Sequence, residues 1–191
     1  PIAPGQILSI FGVNIGPEAA LGAQFDELGR LARRLGPTRV LFNGMPAPLV
    51  FAAKNQVSVI APFFLAELNM VRIEVEVDGA ASLPVEVEVA ASTPAVFTLS
   101  QTGSGQAAVL HQDFSVNGPN HPASGGDAIQ IYLTGGGQTA PPGVDGEVTP
   151  LRQPFPTLRA PTTVRIGGAA AQVLYAGAAP GLLAGVNQIN V

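Results

Sequence analysis

The sequence predicts an all-β protein built from two related modules in tandem, and three observations carry that reading. The chain repeats itself: Gly5-Gln6-Ile7-Leu8-Ser9-Ile10-Phe11 returns 121 positions later as Gly126-Asp127-Ala128-Ile129-Gln130-Ile131-Tyr132. Val40-Leu41-Phe42-Asn43-Gly44, then Ala47 to Ala52, returns 124 positions later as Val164-Arg165-Ile166-Gly167-Gly168, then Ala171 to Ala176. Asn55-Gln56-Val57-Ser58-Val59 reappears as Asn187-Gln188-Ile189-Asn190-Val191. Blocks that recur in one order mark tandem units. Residues 1–92 and 93–191 are the two expected domains, each of ordinary domain size. The apolar residues also alternate with polar ones over short runs, as half-buried strands require. Finally, 23 Gly and 18 Pro in 191 residues suit many short strands and turns better than long helices.

The elements follow in order. Ile7 to Phe11 is a nearly continuous apolar run between Pro-Gly and Gly, and reads as a buried strand. Leu21, Phe25, Leu28, Ala32 and Leu35 recur at helical spacing, so residues 19–35 could form one short helix ended by Gly36-Pro37. Gly22 and Gly29 argue against it. Arg39 to Phe42 ends at Asn43-Gly44, whose tolerance of positive φ makes it a hairpin turn before Leu49-Val50-Phe51. Gln56 to Ile60 is a strand stopped at Pro62.

Val71 to Val77 and Val85 to Val89 alternate across an Asp78-Gly79 turn region, with valines and Ile73 on one face and Glu74, Glu76, Glu86 and Glu88 on the other. This is the clearest hairpin in the chain. Its acidic face protects an edge from pairing, or docks a cation or a basic patch such as Arg30, Arg33 and Arg34. Ala90 to Pro94 is the expected joint. Ala95 to Thr98 and Ala107 to Leu110 open the second module. Polar loops at 113–127 and 134–161 are candidate binding surfaces or flexible connections. In the second module no hairpin follows the third block.

Composition excludes several classes. The net charge is -4, without a basic tract, so the electrostatic footprint of a nucleic-acid binder is absent. No apolar run approaches the roughly 20 residues of a membrane-spanning helix. Cysteine is absent, which removes thiolate metal sites and any reading of compartment from disulfides. Charged residues make up only 12%, about half the usual share, compatible with a surface covered by contacts.

Several segments together resemble one family. Ala3 to Gly12, Phe42 to Leu49 and Asn55 to Pro62 look like its first half. Ala107 to Asp113, Ser115 to Asn117, Ile129 to Gly135, Ala179 to Gly181 and Asn187 to Val191 look like its second. The family is the uncharacterised C-terminal domain first described from Solibacter and other Acidobacteria, similar to tandem immunoglobulin-like modules of the IPT/TIG kind. The resemblance spans nearly the whole chain. It implies two immunoglobulin-like β-sandwiches, an extracellular or cell-surface setting, and no catalytic residues. Family members usually carry a strand before the first Pro-Gly and continue past the last motif into a closing hairpin. Neither is present here, so the chain reads as a processed or partial piece.

The candidate chemistry is thin. His111, Asp113, His121 and Asp127 cluster without the spacing of a zinc motif. Asp113, Ser115 and Asn117 alternate as in a calcium loop, but the glycine is misplaced and the final carboxylate missing. Ser124 with His121 and Asp127 lacks the nucleophile-elbow pattern. Gly135-Gly136-Gly137 lacks the dinucleotide-binding spacing. No catalytic residue, metal or cofactor is expected. A glycan- or ligand-binding accessory module of a larger secreted protein is the alternative function; its glycan form is weakened because the chain has no Trp and because Tyr132 and Tyr175 occupy positions equivalent to Phe11 and Phe51, expected in the core. Phe63, Phe64 and Leu65 are suspicious: a cap on the first core, a buried joint, or an anchor for a partner. The favoured expectation is a non-enzymatic structural or adhesive module that meets protein partners, copies of itself or a larger parent assembly. It would do so, as a component of a filament or surface layer, through open β-edges at its termini, near Ile2, Ile189 and Val191.

Overall fold

The computed structural model describes residues 1–191, as short strands and one 3-10 turn. The N-terminal half contributes β1 (Ile7–Phe11), β2 (Leu21–Gly22), β3 (Thr38–Phe42), β4 (Met45–Pro46), β5 (Leu49–Ala53), β6 (Gln56–Ile60), the 3-10 turn Phe63–Glu67, β7 (Met70–Val77), β8 (Ala80–Ala81) and β9 (Val85–Glu88). The C-terminal half contributes β10 (Ala95–Val96), β11 (Val109–His111), β12 (Ile129–Thr134), β13 (Thr139–Ala140), β14 (Thr157–Leu158), β15 (Val164–Ile166), β16 (Ala169–Ala171), β17 (Tyr175–Ala178) and β18 (Asn187–Asn190). The protein is all-β, in four sheets.

In the first half, β1-β6-β5-β2 form one antiparallel sheet, and β4-β3-β7-β8 with β9 form another. Their inward side chains meet in one core: Val40, Phe42, Val71 and Val75 from the second sheet, Leu49, Ala52, Val57 and Val59 from the first. Both predicted two-residue turns are present. Asn43 and Gly44 have φ of 49° and 82°, Asp78 and Gly79 of 50° and 83°. Positive φ at both central residues matches the right-handed twist of the strands it joins.

The second half repeats this pairing residue for residue. In the first, Ser9 pairs with Ser58, Ile10 with Val57 and Phe11 with Gln56. In the second, the counterparts pair as Gln130 with Asn190, Ile131 with Ile189 and Tyr132 with Gln188. Likewise Phe51–Ser58 and Ala52–Val57 become Tyr175–Asn190 and Ala176–Ile189. The hairpin β3–β4 returns as β15–β16, turning on Gly167-Gly168. A second core forms around Val109, Ile129, Leu133, Ile189 and Val191.

Three expectations are corrected. The helical spacing over residues 19–35 produces no helix; the segment is β2 followed by turns held by a Phe25–Leu31 bridge. Asp26 supplies the alternative, its carboxylate accepting from the amides of Leu28 and Arg30 at 2.9 Å each. Such local bonding competes with helix, and two glycines weaken the helix further. Strand β1 is not buried on both faces: Leu8 and Ile10 pack inward, whereas Phe11 is 73% exposed, so the expectation that it is core fails by the two-residue period of the strand. The acidic residues of the β7–β9 hairpin do not make an unbroken acidic face. Register sets Glu86 against Arg72 and Glu76 against Arg39, and interleaved arginines relieve the repulsion. Arg39 grips Glu76 through two nitrogens, Nε at 2.9 Å and a terminal nitrogen at 2.6 Å, which lets Glu76 lie buried despite its charge.

The halves are tied together closely. The hydroxyl of Thr134 accepts from the amide of Ile7 at 2.8 Å and donates to the carbonyl of Gly185 at 2.9 Å. The Gln6 side chain bonds Thr93. Phe63 is buried at this seam, its amide donating to Asp145 at 2.8 Å and its carbonyl accepting from Gln138 at 3.3 Å. Its ring lies against Gly5 and Gly143, at both of which a Cβ would collide with it. The 134–161 loop, read as a candidate binding surface or flexible connection, instead packs along the first half. Arg30 pairs with Glu147 at 2.7 Å, and the amide of Leu31 donates to Gly146.

Equivalent valines in the two halves offer a direct test. Val40 is fully buried, whereas Val164 is only partly covered. Val40→Ala should destabilise the chain by about 2 kcal/mol, and Val164→Ala by less than half of that, in parallel urea titrations.

Candidate functional site

The repeat makes one difference between the halves conspicuous. In the first, β3 is paired on both sides, with β4 and with β7; in the second, β15 is paired with β16 alone. Phe42 is fully buried, but its counterpart Ile166 is 50% exposed. Leu49 and Ala52 are fully buried, and their counterparts Val173 and Ala176 only partly so. Strand β7 supplies the difference, since Ile73 stands opposite Phe42 and Val75 opposite Val40.

Two hollows flank β15–β16. One, of about 380 Å³, has Val164 and Arg165 on one wall and Val96, Ile131, Leu133 and Ile189 on the other. The second, of about 640 Å³, lies between the 122–128 loop and Ile166, Leu174 and Val191. Covering the exposed half of Ile166 would be worth about 1 kcal/mol, and pairing an open strand edge adds backbone hydrogen bonds. This combination of apolar trough and free backbone edge can hold an extended polypeptide segment.

The residues singled out in the sequence separate into groups. Ile189 and Val191 line the two hollows, one each, although β18 itself lies between β12 and β17 and offers no free edge. Ile2 bridges Val89 and joins the first core, with Leu65, which is fully buried. Phe63 fills the seam, and Phe64 packs partly on the first core. Neither Phe63 nor Leu65 is free to anchor a partner, because each already fills space within the chain. Arg30 and Arg33 reach Glu147 and Asp145, not the glutamates of the hairpin, and Arg34 bonds the Gly36 carbonyl. Glu74 lies near Arg72, at 3.5 Å. Arg165, which faces the open edge, was not singled out. Aligning the repeat copies position by position would have found it, because it replaces Leu41.

The polar loop forms a shallow surface. The rings of His111 and His121 stack with centroids 4.3 Å apart, and Ser115 Oγ lies 3.4 Å from His121 Nδ1. Asp113 accepts from the hydroxyl and amide of Ser115 at 2.6 and 2.9 Å, and Asp127 from the amide of Ser124 at 2.8 Å. No group of three His, Asp or Glu side chains converges closely enough to hold a metal ion. The ring of His121 addresses Ser115 and not Ser124, so the three residues that invited a triad are not wired as one. The tyrosine hydroxyls are engaged internally: Tyr175 donates to Ala178 at 2.7 Å, and Tyr132 to Gln130 at 3.1 Å. Partial burial raises the pKa of both.

Comparison of the chain with protein-family models, with curated proteins and with solved structures finds no match.

The bonds from the Ser115 hydroxyl, then its amide, hold Asp113 below the ordinary aspartate value of 3.8. A depressed carboxyl contributes to the turn above its unfolded pKa and loses that contribution as pH falls through the folded value. Ser115→Ala should therefore move the Asp113 carboxyl resonance titration upward, toward 3.8, in NMR spectra recorded against pH.

Proposed function

We propose that the chain is a non-enzymatic structural or adhesive module of an extracellular or cell-surface protein, with two immunoglobulin-like β-sandwiches in tandem, residues 1–92 and 93–191. It belongs with the Solibacter-type C-terminal domains it resembles, and it associates with neighbouring polypeptide through the open β-edge of its second sandwich. The single observation that carries this reading is the asymmetry of the repeat: Phe42 fully buried on a strand paired with β7, Ile166 half exposed beside an unpaired edge. The seam built on Thr134, Gln6 and Phe63 supports it, because a module that transmits or holds position needs its halves fixed to each other. Shallow, solvated carboxylates and histidines do not resemble the enclosed, mutually perturbed groups of a catalytic pocket.

Ligand or glycan binding is the second reading, favoured by the hollow of about 640 Å³ with Asn117, Ser124 and Asp127 at its polar side. Its other side is Ile166, Leu174 and Val191, which is the chemistry of an incomplete core more than of a sugar platform.

Light-scattering chromatography at rising micromolar concentration tests the association. The wild-type mass should climb above that of a monomer, and Ile166→Asp, which places a charge on the open face, should hold it at the monomer value. A wild-type chain that stays monomeric throughout would overturn association between copies.

A further inference from the structure

We propose that the trough beside β15 is a docking site for one extended strand of the β7 type, contributed by another polypeptide segment and added antiparallel to β15. The proposal rests on the structural-module reading above and deepens it by specifying the partner's chemistry, direction and register.

The backbone defines the direction. In the first half the amide of Ala47 bonds the carbonyl of Val40, and the amide of Asn43 bonds the carbonyl of Arg72. Alternate residues of an antiparallel strand address opposite neighbours, so residues 40 and 42 face β4 and residues 39 and 41 face β7. Val164 pairs with Ala171 as Val40 meets Ala47. Thr163 and Arg165 therefore direct their amides and carbonyls away from β16, toward the vacant side.

The side chains define the register. Ile73, Glu74, Val75, Glu76 and Val77 stand opposite Phe42, Leu41, Val40, Arg39 and Thr38. Transferred through the repeat, the same five residues of an incoming strand fall opposite Ile166, Arg165, Val164, Thr163 and Thr162. Its apolar positions then enter the trough toward Ile131, Leu133 and Ile189, as Val75 enters the first core. An acidic residue falls opposite Arg165, an exposed cation whose only hydrogen bond here is to the Gly168 carbonyl, at 3.1 Å. Strand β7 supplies that acid as Glu74. The occupant is thus a polypeptide strand with small apolar residues at alternate positions and a carboxylate between them, and β7 is the pattern for it. The β7 of a second copy is an unsuitable source, because it is already paired with β3, β8 and β9.

The test uses the whole chain and a synthetic peptide with the sequence Met70–Val77, followed by amide NMR and hydrogen exchange. Binding should shift and protect Thr163 to Ile166 and shift Ile131, Leu133 and Ile189. A Val75→Asp peptide should bind at least about tenfold more weakly, since it puts a charge where a valine is buried. Arg165→Glu should weaken the parent peptide, and a Glu74→Arg peptide should recover binding to that variant, which a merely sticky apolar surface would not do. Shifts confined to Thr38 to Phe42 would mean that the peptide only competes with β7 in its own sheet, and would overturn the proposal. No binding in a chain that nevertheless self-associates would also overturn it, while leaving the structural-module reading intact. Peptide binding in a chain that stays monomeric would support the docking site and remove association between copies.

Discussion

Antiparallel pairing along both edges of one strand organises each half of this protein. That strand is β6 in the first half and β18 in the second, and it carries the Asn-Gln motif. Being central, it must satisfy its backbone groups through one near and one distant neighbour, β5 and β1 in the first half, β17 and β12 in the second. A slip of one residue would turn Val57 and Val59, or Ile189 and Val191, out of their cores. The identical register in the two halves is the consequence. The hairpins β3–β4 and β15–β16 are then delivered to the same place on each framework.

What covers that framework differs, and the difference propagates. With β7 in place, Val40, Phe42, Leu49 and Val59 are all fully buried. Without a counterpart, the second core has only five buried members and is bordered by two hollows. Close packing is the ordinary state of a protein interior, so a trough of this size beside an unpaired edge is a place where further chain is energetically welcome. The seam has the opposite character. Phe63, Thr134 and the 143–147 segment fill it with apolar contact and direct bonds, which makes the pair of halves a single platform for the open edge.

Much of this was legible in the residues, and the failures have physical causes. Asn43-Gly44 and Asp78-Gly79 announced their turns because few other residue pairs accept positive φ twice in succession. The alternation of Val71 to Val77 announced an inward and an outward face. Residues 19–35 misled because helical spacing is a pattern of side chains, while Asp26 and Gly29 act on the backbone. Phe11 misled because a run of apolar residues does not reveal that one of two faces meets solvent. The four glutamates misled because their neighbours across the sheet, Arg72 and Arg39, are fixed by register and not by proximity in sequence.

By itself the sequence determined the all-β class, the turn positions, and the repetition of three blocks in one order. These are local or self-referential properties, set by φ preferences, by a period of two, and by comparison of the chain with itself. Only the tertiary structure decided that the third block lies in the middle of each sheet and that Phe63 and Leu65 are internal. It alone showed that the open edge is β15 and not the terminal strand β18. Those outcomes depend on which distant segments pair and on how fully they cover one another, and no residue records that alone. Ile166 and Phe42 occupy the same place in the same hairpin; one is half exposed because β7 covers only the other.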